Sequence, residues 1–171
     1  MAGYIQIYTG NGKGKTTAAM GLAIRAVGAG LSVYIGQFVK AGLYSEHMVF
    51  KNYLTMIDIE TYGRNCFIMG SPDKIDIELA QEGWQKSKHI IIDNKYDIVI
   101  LDEINVAIYY SLIDKKDVMF ALKNKPLNME IILTGRYADP DLIDLADLVT
   151  EMKEIKHYYK NNVQARDGIE R

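Results

Sequence analysis

The strongest constraint on the fold is a nine-residue loop between two apolar stretches. It reads Thr-Gly-Asn-Gly-Lys-Gly-Lys-Thr-Thr over residues 9–17, follows the short run Tyr4–Tyr8 and precedes an alanine-rich stretch. Glycines allow backbone N–H groups to turn toward one point, and the N-terminus of a following helix adds positive potential there. In such a loop Lys15 meets phosphate oxygens and Thr16 offers its hydroxyl to Mg²⁺. The order strand, loop, helix therefore predicts a phosphate-binding loop.

The loop departs from the usual pattern at its first glycine. Thr9 stands where the pattern has glycine, Gly10 comes one residue late, and Lys13 adds a second cation. A glycine-rich turn of no special purpose is the alternative interpretation, but the Lys-Thr-Thr sequence that opens a helix favours nucleotide binding. The predicted nucleotide contacts in this loop are Asn11, Gly12, Lys13, Gly14, Lys15, Thr16 and Thr17.

Short β-branched runs alternate with longer stretches along the chain. The runs are Tyr4–Tyr8, Ser32–Val39, Met56–Tyr62, Asp97–Leu101, Met129–Thr134 and Asp147–Met152. Nearly all-apolar strands that alternate with helices are typical of a parallel sheet covered on both faces. The predicted fold class is α/β, of the P-loop NTPase (RecA-like) kind, with a mostly parallel sheet and helices on both faces. We expect residues 1–171 to form a single domain whose C-terminal tail, 153–171, packs near the site.

Two helices are predicted from apolar spacing. One follows the loop and turns Ala18, Ala19, Leu22, Ala23, Ala26 and Val27 to one face. The other spans Pro72–Asp93, with Ser71 as its N-cap and Pro72 in its first turn. Its predicted buried side is marked by Ile75, Leu79, Ala80, Trp84 and Ile91. Residues 40–51 and 63–71 lack a clear period and are predicted to be loops at the carboxyl ends of strands, where ligands bind in such sheets.

A second motif lies at the end of the fourth predicted strand. The apolar run 96–101 ends in Asp102 and Glu103. A carboxylate here is expected on the Mg²⁺ side of a phosphate-binding fold, so either residue would bind the ion directly or through water. A helix cap after a strand is the other interpretation of such a pair, and the phosphate-binding loop makes it the weaker one.

Composition excludes several classes of protein. Lys plus Arg number 20 and Asp plus Glu 22, for a net charge of −2, so the chain has no overall charge that would attract nucleic acid or an anionic membrane. Its apolar stretches fall far short of the ~18 residues of a membrane span. Cys66 is the single cysteine, so no disulfide forms within this chain. With no signal-peptide pattern at its N-terminus, the protein is expected in the cytoplasm.

The sequence constrains the identity of the nucleotide less than it constrains the fold. A guanine-reading Asn-Lys-x-Asp motif is lacking, because residues 124–127 read Asn-Lys-Pro-Leu. The five arginines, Arg25, Arg64, Arg136, Arg166 and Arg171, are scattered and form no lid of the kind that small-molecule kinases use. At strand ends, Gln37 and Lys40 are candidates to touch ribose or triphosphate, and Arg136 is a candidate for either a nucleotide contact or a surface ion pair. His47, His89 and His157 show no metal-ligand spacing.

Taken together, the motifs resemble the P-loop ATP:corrinoid adenosyltransferases. The resemblance runs from residue 4 to 170 in the same order. It rests on the loop at 9–18, Gln37-Phe38-Val39-Lys40, Leu101-Asp102-Glu103, Thr134-Gly135-Arg136, the run 142–152 and the tail 163–170. The displaced glycine of the loop is itself a mark of this family.

The resemblance implies transfer of the 5′-deoxyadenosyl group from ATP to the Co(I) centre of a corrinoid, with release of triphosphate. Cobalt is then the nucleophile, so no Ser, Cys or His nucleophile is needed. Lys13, Lys15 and Glu103 would be catalytic, with Mg²⁺ on Thr16, Asp102 and Glu103. The nucleotide would lie reversed in the loop, which presents C5′ to the acceptor.

The resemblance also implies a corrinoid pocket and partners. Phe67 matches one family aromatic that packs against the lower face of the corrin, whereas Met69 stands where tryptophan is common. An electron-transfer protein such as a flavodoxin would supply the reduced cobalt, and a homodimer is expected. Two other classes stay open: a P-loop ATPase or kinase of other specificity, and a corrinoid carrier without turnover. The carrier reading is disfavoured because the sequence lacks an Asp-x-His-x-x-Gly run.

Overall fold

A sheet of six strands with helices on both faces organises the computed structural model, which describes residues 2–40, 42, 44–64 and 71–170. The strands are β1 (Ile5–Thr9), β2 (Val33–Phe38), β3 (Ile57–Tyr62), β4 (Ile98–Asp102), β5 (Glu130–Thr134) and β6 (Leu148–Glu151). The helices are α1 (Lys15–Gly28), α2 (Ser45–Tyr53), α3 (Lys74–Ile92), α4 (Ile104–Tyr109), α5 (Lys115–Lys123) and α6 (Pro140–Leu145). A short 3-10 turn, Tyr158–Asn161, lies in the tail.

All neighbouring strands in the described sheet run parallel, in the order β3-β2-β4-β5-β1-β6. The carboxyl ends of β1, β2, β4 and β5 therefore meet at one edge. In sheets of this kind ligands bind at that edge. The predicted α/β fold class with a parallel sheet is confirmed.

Helices cover both faces of the sheet. Successive side chains of a strand point to opposite faces. In β2, Val33 and Ile35 pack with the alanines of α1, whereas Tyr34 packs on the other side with Trp84 of α3. The predicted inward face of α1 is confirmed, since Ala19, Ala23 and Ala26 are buried.

The start of α3 differs from the prediction. Its N-cap is Asp73 rather than Ser71, and the helix begins at Lys74, so Pro72 lies outside it. The backbone N–H of Asp73 donates to a carboxylate oxygen of Asp76 at 2.9 Å, and that pairing fixes the first turn. Arg64 adds contacts of 2.6 Å to both carboxylates. These contacts explain why the helix begins two residues later. Along the helix Ala80, Trp84 and Ile91 are buried as predicted, but Ile75 is exposed.

The segment predicted as a loop at 40–51 contains most of α2, so that prediction was wrong. Only His47 and Phe50 of this helix are buried, which leaves too weak an apolar period to detect in the sequence. Its start is fixed locally, because the backbone N–H of Tyr44 donates to Nδ1 of His47 at 2.9 Å. Of the second predicted loop, only 63, 64 and 71 lie within the described residues.

The contact between α3 and β3 leads to a stability prediction. A Cβ added to Gly83 of α3 would lie 2.3 Å from the ring of Tyr62, whose hydroxyl is held by Tyr34 and Glu60. We expect Gly83→Ala to lower the free energy of unfolding by about 2 kcal/mol, because the ring cannot yield without breaking these bonds. Urea denaturation measures the change.

Gly21→Ala is the matched control, since Gly21 lies in α1 with open space around it. Alanine there is expected to stabilise the protein by about 0.5–1 kcal/mol through helix propensity. Equal stability of the two variants would contradict the close packing of α3 on Tyr62.

Candidate active site

The glycines of the predicted phosphate-binding loop allow the chain after β6 to lie directly against it. Gly10 has φ 95° and Gly14 has φ 115°. The N–H of Gly12 donates to the carbonyl of Met152 at 2.7 Å. A Cβ on Gly10 or Gly12 would approach that carbonyl to 2.4 or 2.7 Å. The position of the displaced first glycine thus has a structural reason. The loop packs against Met152 at Gly10, where a side chain would collide with the Met152 carbonyl.

Lys15 lies at the centre of this loop. Its ammonium donates to the carbonyls of Gly10 and Gly12 at 2.8 and 2.7 Å, and only 7% of the residue is exposed. Burial, with the charges of Arg136 and Lys40, lowers the pKa of Lys15, although the carboxylate of Glu103 opposes the shift. The loop therefore holds a partly desolvated cation in place.

Asp102 connects four segments of the sheet edge. One carboxylate oxygen accepts from the hydroxyls of Thr16 and Thr134 at 2.9 and 2.6 Å. The other accepts from the amide of Gln37 at 3.0 Å and the ammonium of Lys40 at 2.8 Å. Four donors thus surround a carboxylate with no exposed surface.

These donors keep Asp102 ionised despite its burial. Desolvation alone would raise the pKa of this carboxyl, but the charge of Lys40 and the bonds from Lys40, Thr134 and Thr16 outweigh it and lower the pKa. Burial would likewise lower the pKa of Lys40, yet Asp102 and Glu103 outweigh it and raise that pKa. Lys40 also donates to Thr16 at 3.0 Å, so its ammonium bridges the hydroxyl and the carboxylate.

Glu103 faces the cleft in a different environment. Its backbone is left-handed, with φ 61°, and its N–H donates to Thr134 at 2.9 Å. Burial raises the pKa of its carboxyl, with the charge of Asp102 acting in the same direction and Lys40 opposing. Among the described residues, no side-chain or backbone donor bonds this carboxylate. Glu103 is therefore the acid that remains available to a ligand.

Two connected clefts open along this edge. The first, of about 490 Å³, is lined by Asn11, Gly12, Lys13, Lys15, Val39, Lys40, Glu103, Val106, Tyr110, Arg136, Tyr137, His157 and Glu170. The second, of about 530 Å³, shares Lys13, Lys15, Lys40, Glu103 and Glu170 and adds Gly14, Thr16, Thr17, Met20, Tyr44, Ser45, Glu46, Val49, Gly168 and Ile169. Three of the cations predicted from the sequence, Lys13, Lys15 and Lys40, thus line both clefts, and the fourth, Arg136, lines the first.

Not every predicted residue lies on a cleft wall. Gln37 is fully buried beneath Asp102, and its Oε1 has no hydrogen-bond partner among the described residues. Asp102 is also enclosed, so the structure brings both residues to the site as support for Thr16 and Lys40. Phe67 and Met69 lie outside the described residues.

Sequence reasoning did not single out three features of this edge. Thr134 donates to Asp102 and accepts from the N–H of Glu103. The Thr-Gly-Arg motif at 134–136 was the one sequence signal that pointed to Thr134. Tyr137 has φ 61°, and its ring stacks on Tyr109 at 4.3 Å. The tail residue Glu170 meets Lys13 at 2.8 Å. A local motif can mark such a residue, but it does not predict the partner, because these contacts join distant parts of the chain.

With this geometry in view, comparison with known proteins gives the family. The model of the family described as "ATP:corrinoid adenosyltransferase BtuR/CobO/CobP" matches residues 1–171. This chain belongs to that family. A corrinoid adenosyltransferase of a Sinorhizobium species is 37% identical over 172 residues, which cover 98% of this chain and 80% of the relative. The corrinoid adenosyltransferase of Escherichia coli K12 is 36% identical over 176 residues, covering 98% and 85%.

The solved structures add a likeness in fold. Flagellar accessory protein FlaH from Methanocaldococcus jannaschii superposes with a TM-score of 0.63 at 17% identity, over 88% of this chain and 71% of FlaH. It shares the P-loop NTPase-like, RecA-like architecture. Within the described residues, every helix is too short or too polar to cross a lipid bilayer.

The candidate site has oxygen donors of the kind that suit Mg²⁺. Mg²⁺ usually keeps several waters and binds one or two carboxylates together with phosphates. The Thr16 hydroxyl and the Glu103 carboxylate both face the second cleft, whereas the lone pairs of Asp102 are already taken by four donors. In the described part of the chain no group of three or more His, Cys, Asp or Glu forms a site by itself. The residues therefore fit an ion that arrives with phosphates.

The raised pKa of Glu103 leads to a prediction about stability and pH. A carboxyl whose pKa is higher in the folded state destabilises that state while it is ionised. The penalty is full above the raised pKa and disappears as pH falls below the ordinary value of about 4.3. We therefore expect Glu103→Gln to be more stable than the native protein at pH 8, with a gain that shrinks toward pH 4, as measured by urea unfolding.

The matched control is Glu82→Gln, which removes an exposed carboxylate from α3. It should stay within about 0.5 kcal/mol of the native protein at each pH. A destabilised Glu103→Gln variant at pH 8 would show instead that attraction to Lys40 and Lys15 exceeds the cost of burying the charge.

Proposed function

We propose that this protein transfers the 5′-deoxyadenosyl group of ATP to the Co(I) centre of a corrinoid and releases triphosphate. The observation that carries the proposal is the full-length match to the adenosyltransferase family, on a chain whose predicted phosphate-binding loop lines a cationic cleft. The related proteins named as corrinoid adenosyltransferases support the same reaction.

The transfer is a displacement at carbon. An electron pair of Co(I) forms the Co–C bond at C5′, the C5′–O bond breaks, and the triphosphate oxygen leaves with the bonding electrons. Because the corrinoid is the nucleophile, the protein has to orient C5′ and stabilise the departing charge. No general base is required.

Four cations that line the first cleft are suited to the leaving group. Lys15 and Lys13 lie on the loop, Lys40 follows β2, and Arg136 follows β5. The amides of the loop and the N-terminus of α1 add partial positive charge. In our proposal Lys15 and Lys13 contact the phosphates, while Asn11, Gly12, Gly14 and Thr17 contribute loop contacts and Arg136 contacts the nucleotide.

The acids have separate roles in this proposal. Thr16 and Glu103 hold Mg²⁺, and Asp102 orients the Thr16 hydroxyl and the Lys40 ammonium from beneath. When bound, the ion neutralises part of the triphosphate charge. Gln37 acts indirectly, because its amide donates to Asp102.

The remaining assignments concern the corrinoid and its partners. Phe67 and Met69 are proposed to contact the lower face of the corrin, an assignment that rests on the sequence motif alone. An electron-transfer protein of the flavodoxin type would deliver the electron that yields Co(I). We also propose a cytoplasmic homodimer, where the single Cys66 suits a reducing compartment.

An anaerobic assay tests the reaction. ATP, Mg²⁺ and chemically reduced cobalamin are mixed with the protein while the corrinoid spectrum and the phosphate products are followed together. A light-sensitive alkyl-cobalt spectrum with one triphosphate per corrinoid is expected. ADP or phosphate without a corrinoid change would instead support an ATPase or kinase.

The role of Lys15 gives a second test. We expect Lys15→Ala to reduce kcat/KM for ATP by at least about 100-fold, because the buried ammonium that meets the triphosphate is lost. Steady-state kinetics in the same assay measure the effect. Lys123→Ala, at the exposed end of α5, is the control and should match the native rate. Native kinetics in the Lys15 variant would remove this assignment.

Phe67 can be tested by varying how the corrinoid is reduced. We expect Phe67→Ala to slow the reaction at least about tenfold when it starts from Co(II) with a flavodoxin as reductant, because displacement of the axial ligand is impaired. Chemically prepared Co(I) should restore most of the rate. Phe120→Ala removes an exposed ring of α5 and serves as the control. An unchanged Co(II)-dependent rate would contradict the assignment.

A further inference from the structure

A carboxylate from the C-terminal tail binds a cation of the phosphate-binding loop. The ammonium of Lys13 meets Oε1 of Glu170 at 2.8 Å, the carbonyl of Ile169 at 2.9 Å and the hydroxyl of Tyr158 at 3.0 Å. Lys13 and Glu170 are 157 positions apart in the chain. This pair therefore closes the tail over the loop.

The pair stands where the two clefts meet. Lys13 and Glu170 line both of them, together with Lys15, Lys40 and Glu103. A triphosphate bound to Lys15 and Lys40 would therefore lie beside this pair. A carboxylate and a phosphate present the same kind of acceptor oxygen to an ammonium, so both cannot satisfy Lys13 fully at once.

Glu170 has a second partner that stays in the tail. Its carboxylate accepts from the guanidinium of Arg166 at 3.1 and 3.2 Å and from the N–H of Arg166 at 2.9 Å. Tyr158 also donates to Glu170. These bonds, led by Arg166 and then Lys13, hold the pKa of Glu170 below its usual range, so it stays ionised. If Lys13 is taken by another anion, Glu170 keeps a compensating charge.

The pair is also accessible to exchange. The side chains of Lys13 and Glu170 are 39% and 17% exposed, unlike the enclosed pair of Lys40 with Asp102. Partly exposed pairs are held by modest energies, of about 1 kcal/mol or less. A highly charged ligand is thus able to replace Glu170 without breaking the fold.

From this geometry we propose that Glu170 competes with a phosphate of the triphosphate for Lys13, and so sets how tightly the leaving group is held. The inference rests on the proposed function, in which triphosphate is the product. Arrival of triphosphate at Lys13 leaves the carboxylate with Arg166 and Tyr158, and return of the carboxylate to Lys13 favours triphosphate release.

Inorganic triphosphate is the probe for this competition. Calorimetric titration of the full chain, with Mg²⁺ present, compares the native protein with Glu170→Gln. We expect the variant to bind triphosphate at least about fivefold more tightly, because Lys13 is freed from its internal anion. Equal or weaker binding would overturn the proposal.

Glu154→Gln is the matched control. Glu154 lies in the same tail, pairs with Lys160 at 2.5 Å and lines neither cleft. This substitution changes the net charge by the same amount, so a long-range effect of charge on triphosphate affinity would also be measured in Glu154→Gln. Its triphosphate affinity should stay within about twofold of the native value. A gain equal to that of Glu170→Gln would overturn the proposal.

A double-mutant cycle separates competition from a structural role of the tail. In a Lys13→Gln background the Glu170→Gln gain should disappear, because no ammonium remains to compete for. The same gain in that background would show that Glu170 acts on the ligand without Lys13. Thermal unfolding of each variant identifies any loss of folding.

The adenosyl-transfer assay on the same proteins keeps the two hypotheses apart. The native protein could transfer the adenosyl group while Glu170→Gln binds triphosphate with unchanged affinity. That result would support the proposed function and contradict the role of Glu170. Failure of the native protein to bind triphosphate at all would overturn the phosphate site itself, and the role of Glu170 with it. Competition predicts stronger product inhibition by triphosphate in Glu170→Gln.

Discussion

The hydrogen bonds to the buried carboxylate of Asp102 are the interactions on which the rest of the candidate active site depends. A charge removed from water is tolerated only where hydrogen bonds and opposite charge replace its hydration. Here the four donors come from the first turn of α1, from β2, from Lys40 two residues beyond β2 and from β5. One side chain thus fixes how four neighbouring segments meet at the sheet edge. The strand order makes this possible, because β4 lies between β2 and β5.

Two adjacent acids at the end of β4 have different chemistry because their backbones differ. Asp102 is the last residue of the strand and points into the donors beneath the loop. Glu103 turns into a left-handed conformation, which aims its side chain at the cleft and leaves its carboxylate without a protein donor among the described residues. Burial acts to raise the pKa of both carboxyls, but the donors around Asp102 outweigh it and lower that pKa, whereas the pKa of Glu103 stays raised. A supporting acid and a ligand-facing acid result from one dipeptide.

The tail reaches the site for a topological reason. Because β6 runs parallel to β1 and pairs with it, its carboxyl end emerges beside the predicted phosphate-binding loop. The carbonyl of Met152 then meets the N–H of Gly12, and the chain beyond it is directed across the cleft. The ion pair of Lys13 with Glu170 follows from that course. Internal charges thus complement one another across the site, with Lys40 against the acids and Glu170 against the loop cation.

The sequence by itself determined the strands, the loop, the positions of Lys15 and Asp102 and the family. The strands, the loop and the two residues each depend on neighbours in the chain, so local patterns reveal them, whereas the family follows from the order of several such motifs between residues 4 and 170. Local patterns misplaced the start of α3 and missed α2, because a side-chain cap and two buried residues define those elements. Only the tertiary structure decided that Asp102 is enclosed while Glu103 is available, that Thr134 supports both, and that Glu170 binds Lys13. These relations depend on strand order and on contacts between distant segments, which the packing of the parallel sheet brings to one edge.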